Sequence, residues 1–264
     1  MNDGIPALST RDLTISFGGQ VAVNAVTCAF RRGTLTAIVG PNGAGKTTYF
    51  NLISGQLQPS NGSVSLFGDD ITRLGAPQRT RRGLGRAFQL TNLFPNLSVF
   101  ENVRLAVQSV AEIRFDLLSI AARNSRLNEE ATHWLDRVKL TSRAALPAAA
   151  LSHGDRRKLE VAILLALKPR VFMFDEPTAG MSLDEVSVIL DLIDEIKSEA
   201  DKTVLLVEHR MDVIKRLADR IVVLQDGTMI ADGPPAEVVA SPAVQQAYLG
   251  MQRGAEPRRG AGHG

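Results

Sequence analysis

The stretch Gly40-Pro41-Asn42-Gly43-Ala44-Gly45-Lys46-Thr47-Thr48 constrains this chain more than any other. It satisfies G-x-x-x-x-G-K-[ST], the loop that wraps phosphate oxygens. Glycines let the backbone close around an anion, and successive amide N–H groups form a nest for it. A helix that follows such a loop aims its positive end at the same point. The flanks agree: residues 35–39 are an apolar run of strand length, and residues 48–54 read as helix. Within the loop, Lys46 supplies a point charge for the β- and γ-phosphates and the Thr47 hydroxyl a ligand for Mg²⁺.

The rest of the chain is consistent with one large α/β unit. At 264 residues it can bury a substantial core, and its formal net charge of +2 suggests neither a nucleic-acid field nor an acidic tail. Cys28 is the single cysteine, so no intrachain disulfide forms. The first residues lack a basic segment followed by an apolar core, so no signal peptide is expected. The most apolar run, 161–167, is far too short to cross a bilayer, so any membrane role is expected to come through a partner.

Residues 8–17 and 21–30 alternate polar and apolar around Gly18-Gly19, which predicts two antiparallel strands. A short strand at 64–67 follows the first helix. Arg79, Arg81, Arg82 and Arg86 form a local basic cluster, read first as a solvated helix face and second as a contact for a partner protein or phospholipid head group. Residues 98–139 look helical. Ser98 and Glu101 make a capping box, with further helices at 113–122 and at 127–138, the latter holding Trp134 and His133. An Ala/Pro linker at 144–150 precedes Leu151-Ser152-His153-Gly154-Asp155 and a helix to 167. Buried-type strands at 171–174 and 203–207 bracket an amphipathic helix at 184–200. Asp226-Gly227 marks a hairpin between 221–224 and 228–231. Strands alternating with helices around a phosphate loop argue for a mainly parallel core sheet. The tail 253–264 is rich in Gly, Pro and Arg and is expected to be disordered.

A nucleotidase needs a carboxylate on the metal side and a base for water. Asp175, at the end of a four-residue apolar strand, suits the first role by holding Mg²⁺, largely through water. Glu176 points to the other side of the strand end and is the candidate base.

With these residues in place, the chain resembles the ATP-binding subunit of an ABC transporter over nearly its whole length. Six motifs match in order: the Walker A loop from Gly40 to Thr48; Gln89 at the Q-loop position; Leu151 to Asp155 at the signature position; Val171 to Glu176 as Walker B with the catalytic glutamate; Ala179 to Ser182 at the D-loop; and His209 at the H-loop. Phe17 matches the aromatic that stacks on adenine. The resemblance implies an α/β P-loop ABC ATPase spanning 7–252, with a mainly parallel core sheet, an antiparallel β subdomain and an α-helical subdomain at about 98–167. It implies ATP and Mg²⁺ as ligands, with Thr47, Gln89 and Asp175 on the metal. Lys46, Gln89, Glu176 and His209 would be catalytic. The nucleotide would sit on Phe17, Gly40, Pro41, Asn42, Gly43, Ala44, Gly45, Lys46, Thr47 and Thr48. Ser152 and Gly154 would cap the γ-phosphate held by a second ATPase subunit, so catalysis would need two subunits head to tail.

Three departures stand out. His153 and Asp155 replace the third and fifth residues of Leu-Ser-Gly-Gly-Gln, Ser182 replaces the closing aspartate of the D-loop, and Phe17 replaces a commoner tyrosine. A carboxylate at Asp155 is expected to weaken attraction for the partner's γ-phosphate. Phe17-Gly18-Gly19, Thr91-Asn92-Leu93-Phe94, Ala179-Gly180-Met181, Val207-Glu208-His209 and Ala247-Tyr248-Leu249-Gly250 look like the subgroup that energises branched-chain amino acid uptake in bacteria. Extra sequence around 113–123 resembles the longer of that system's two ATPases. The subgroup implies a homodimer or a heterodimer with a paralogue, transmembrane permease subunits, a periplasmic solute-binding protein at one remove, and a cytoplasmic site at the inner membrane. No nucleic acid is expected. Urea or short-amide importers, a lipopolysaccharide exporter and a non-transport ABC ATPase are the alternatives. The Leu-Ser-His-Gly form occurs among the urea-type relatives.

Overall fold

A computed structural model of the chain describes residues 4–87, 93–111 and 120–247. Gln89 therefore lies outside the described residues, as do 90–92, 112–119 and 248–264.

The chain opens with β1 (Leu8–Phe17) and β2 (Gln20–Phe30), paired antiparallel from Leu8↔Phe30 to Phe17↔Gln20. Then come β3 (Leu35–Val39), α1 (Lys46–Ser54), β4 (Asn61–Leu66) and the two-residue β5 (Asp69–Asp70). β4 pairs with the free edge of β1 and β5 with β4, completing a four-stranded antiparallel sheet in the order β2-β1-β4-β5.

The second sheet holds the site. Its strands are β3, β6 (Leu84–Ala87), β7 (Val171–Asp175), β8 (Thr203–Val207), β9 (Arg220–Gln225) and β10 (Thr228–Gly233), in the order β10-β9-β3-β8-β7-β6. Five of them run parallel. β10 adds antiparallel at the edge through Asp226-Gly227, whose φ angles of 49° and 76° suit the tight hairpin turn. All five residues of β3 are buried, because helices or the antiparallel sheet cover both faces of the parallel sheet. Parallel strands put their carboxyl ends on one side. The loops after β3, β7, β8 and β9 therefore meet there, the usual location for a ligand in such sheets.

Between β6 and β7 the chain forms α3 (Val99–Val110), α4 (Ile120–Arg137) and α5 (His153–Ala166), which share one core through Val103, Val107, Leu127, Ala131, Leu135 and Leu159. Ser98 caps α3, its hydroxyl accepting from the Glu101 amide at 3.1 Å. Residues 113–119 of the helix expected at 113–122 lie outside the described residues; the break expected between 122 and 127 is corrected, because α4 runs unbroken from Ile120 to Arg137. Within it the Ser125 hydroxyl donates to Glu129 Oε1 one turn on, at 2.9 Å. The chain ends its described part through α6 (Leu183–Ser198), α7 (Met211–Leu217) and α8 (Pro235–Ala240). No helix among the described residues is long and apolar enough to cross a membrane.

The basic cluster is also corrected. Arg81 and Arg82 are exposed around the end of α2 (Ala76–Arg81), but Arg79 is fully buried and Arg86 nearly so. Arg79 donates to the carbonyls of Leu52, Ile53, Thr72 and Leu74 at 2.6–2.8 Å. It thereby closes the C-terminal end of α1, where carbonyls lack intrahelical donors and a cation suits the helix dipole. Burial pulls its pKa down to about 10.

Candidate active site

Residues 40–45 form the turn between β3 and α1, and Lys46, Thr47 and Thr48 open the helix. Gly40 and Gly45 carry it: their φ angles are 149° and 93°, and a Cβ would fall 2.0 Å from the Leu224 carbonyl oxygen and 2.4 Å from that of Ala22. Gly45 is also the N-cap of α1, and no side chain caps that end, so the first-turn amides face the cleft. Ala44 packs into the core, while Asn42, Gly43 and Thr47 are exposed and Pro41 and Thr48 half-buried. The Lys46 ammonium donates to the carbonyls of Gly40 at 2.7 Å and Pro41 at 2.9 Å. Burial lowers its pKa, and the Glu176 and Asp175 carboxylates oppose that shift.

A cleft of about 370 Å³ opens over this loop. Its floor is Asn42 through Thr48, one wall is Gln20–Ala22 with Asp226-Gly227, and the other is Glu176 and His209. The Glu176 carboxylate and His209 Nε2 are 2.6 Å apart, each about two-fifths exposed. Glu176 sits at φ 51°, off the extended path of β7, and its amide bonds Val207 O at 2.9 Å, across to β8. An exposed carboxylate beside an imidazole can orient a water and take its proton. Asp175, one residue earlier, is mostly buried and pairs with Arg86 at 2.8 Å.

Other expected site residues lie elsewhere. Phe17 ends β1, half-exposed, and does not line the cleft, although the β2 residues just after it do. Ser152 caps α5, its hydroxyl accepting from the Asp155 amide at 3.1 Å, and Gly154 is buried under the Glu185 carboxylate. Neither lines the cleft that holds Lys46. The Asp155 carboxylate is 3.2 Å from Lys158 and 4.0 Å from Arg143, so its charge is balanced within the chain. Ser182 starts α6 in a reciprocal cap, with its hydroxyl 2.9 Å and its amide 3.0 Å from Glu185 Oε2.

One residue escaped sequence reasoning. Glu208 is buried and accepts from the Thr178 hydroxyl through one oxygen and from the His209 and Arg210 amides, at 2.7 and 3.4 Å, through the other. A single carboxylate thus ties the loop after β7 to the loop after β8. Nothing in the sequence marks Glu208 apart from its place beside His209.

A parallel sheet with a phosphate loop, a carboxylate and a histidine at one cleft, and a second carboxylate one residue back, defines a nucleotide-binding ATPase. Comparison gives the family. Residues 23–179 match the ABC transporter family, and residues 228–250 match the branched-chain amino acid ATP-binding cassette transporter family. The chain is 38% identical over 250 residues to the high-affinity branched-chain amino acid transport ATP-binding protein BraF of Pseudomonas aeruginosa, covering 93% of this chain and 98% of BraF. It is 36% identical to the corresponding protein LivG of Escherichia coli, with the same coverage. A nucleotide-free ATP-binding cassette from an ABC transporter superimposes with a TM-score of 0.77 at 27% identity, covering 92% of this chain and 98% of that one. A dimeric post-hydrolysis cassette bound to ADP and Pi gives 0.76 at 25% identity, covering 86% and 98%. The chain belongs to the ABC transporter ATP-binding family, an ATP-hydrolysing class that binds nucleotide.

Proposed function

We propose that this chain is the ATPase subunit of a bacterial importer for branched-chain amino acids. The observation that carries the catalytic part is the convergence of the phosphate loop, Glu176 and His209 on one cleft. The solute rests on the two relatives and on the match at residues 228–250.

In this reading the 40–48 backbone and Lys46 bind the β- and γ-phosphates, and Glu176 holds the attacking water and accepts its proton. His209 steadies Glu176 and the γ-phosphate. Phe17 stacks on adenine beside the β2 wall. The Thr47 hydroxyl and the Asp175 carboxylate are hard oxygen donors and fit Mg²⁺, with Gln89 completing the set. When bound, the metal neutralises phosphate charge. Ser152 and Gly154 lie outside the cleft, which supports their use on a second subunit's nucleotide; that subunit is a second copy or a paralogue. The exposed Phe94, Leu97 and Leu146 offer permease subunits an apolar surface to grip, which supports a position at the cytoplasmic face of the inner membrane; a periplasmic binding protein delivers the solute.

The test is uptake of radiolabelled leucine and urea by proteoliposomes holding the complex co-expressed from neighbouring genes. ATP-dependent leucine accumulation supports the reading. Accumulation of urea and not leucine moves the chain to the amide importers, whose signature shares Leu151-Ser152-His153-Gly154.

A further inference from the structure

Asp175 occupies the candidate metal position, yet its carboxylate is already committed to a cation of the chain itself. Arg86, on the neighbouring strand β6, donates to Asp175 Oδ2 at 2.8 Å, with side chains 6% and 10% exposed. The other terminal nitrogen of Arg86 reaches Asn51 Oδ1 at 2.8 Å and Ser54 Oγ at 2.9 Å in the last turn of α1, and Gln56 Oε1 at 3.3 Å just past it. The guanidinium carbon lies 5.3 Å from the centre of the Phe50 ring. The fork is thus held on three sides, and a planar fork so held fixes the carboxylate it faces.

Two consequences follow from this arrangement. Oδ2 is occupied, so Oδ1, which has no hydrogen-bond partner among the described residues, is the oxygen left for a ligand. The carboxylate is also neutralised. A divalent cation approaching without nucleotide meets Arg86 and Lys46, two positive charges, against a hydroxyl and a carboxylate already shared. Nucleotide phosphates reverse that balance.

We propose that Arg86 is a positioning residue that turns Asp175 Oδ1 toward the metal position and keeps that position closed to divalent cations until nucleotide phosphates arrive. The proposal rests on Asp175 being the metal-side carboxylate. Mn²⁺ titration of the full-length chain, read by electron paramagnetic resonance of the free ion, tests it. Without nucleotide, wild type should take up no Mn²⁺ at millimolar concentration, and Arg86→Gln should bind one ion at least about tenfold more tightly. Arg86→Lys, which keeps the charge, should stay closed as wild type does. It should nevertheless lose affinity for Mn-ATP severalfold, because a single ammonium cannot hold Oδ2 in the same orientation. If Arg86→Gln does not fold, Arg86→Lys alone decides: Mn²⁺ uptake without nucleotide, or unaltered Mn-ATP affinity, overturns the proposal. So does an Arg86→Gln variant as closed as wild type. Asp175→Asn separates the two levels: if it leaves the metal dependence of ATP affinity unchanged, the reading of Asp175 has failed, whatever Arg86 does.

Discussion

Replacing Arg79 by methionine should destabilise this protein far more than replacing the exposed Arg81 or Arg82 of the same local cluster. The side chain is fully buried, and its three guanidinium nitrogens serve four carbonyls, at 2.6 Å for Ile53, 2.7 Å for Leu52 and 2.8 Å for Thr72 and Leu74. Leu52 O keeps a second donor in the Gly55 amide at 3.3 Å, so methionine strands the other three. A buried carbonyl without a donor costs about 1–3 kcal/mol. Water entry and relief from burying a charge return part of the sum, leaving a net loss of about 3–5 kcal/mol. For a domain of this size each kcal/mol moves the midpoint by about 2–4 °C, so the melting temperature should fall by about 6–20 °C. Calorimetry on Arg79→Met beside Arg82→Met, an exposed control, is the assay. A fall below about 2 °C, equal to the control, would mean that the end of α1 is closed by other groups and would refute the reasoning.

Three further outcomes are expected. Burial pushes the Cys28 thiol from 9.0 up to about 11, so the folded state holds its proton more tightly than the unfolded one; stability is intact below pH 9 and is lost as pH rises through about 11, by about 1.4 kcal/mol at pH 10. Denaturation midpoints of wild type and Cys28→Ala at pH 8 and pH 10 check it, and the alanine variant should lack that component. Glu208→Gln cannot accept at both oxygens, so it should free Thr178 or the His209 amide and lower ATP turnover about tenfold or more in the assembled complex, with nucleotide affinity nearly unchanged. Asp155→Gln should leave the ATP KM within about twofold, because Lys158 already balances the carboxylate at 3.2 Å; a larger drop in KM would restore the repulsion expected from sequence.

Much of this was legible in the chain because local chemistry determines it. β1, β2 and β3 follow from period-two alternation and an apolar run, and Asp226-Gly227 from the φ angles its turn demands. The phosphate loop needed no tertiary information, since contiguous backbone amides make the nest. The misses are contacts between residues far apart in sequence. Arg79 reaches back 26 and 27 positions to Ile53 and Leu52, Arg86 pairs with Asp175 across 89, and Glu208 holds Thr178 across 30. In a one-dimensional reading, a run of arginines looks like a surface because charges are rarely buried without a partner, and the partners were out of view. At the signature, Ser152 caps α5 while the Asp155 carboxylate turns to Lys158, a contact one helical turn away.

The central claim, that Glu176 drives hydrolysis in a site completed by a second subunit, is tested most directly by ATP turnover of the purified transporter complex beside its Glu176→Gln form. The account predicts steady phosphate release by wild type. In the variant, turnover should fall by at least about a hundredfold with ATP still bound, and the ATPase subunits should be locked as a dimer. Turnover by Glu176→Gln close to wild type, or full activity from a single isolated chain, would contradict it.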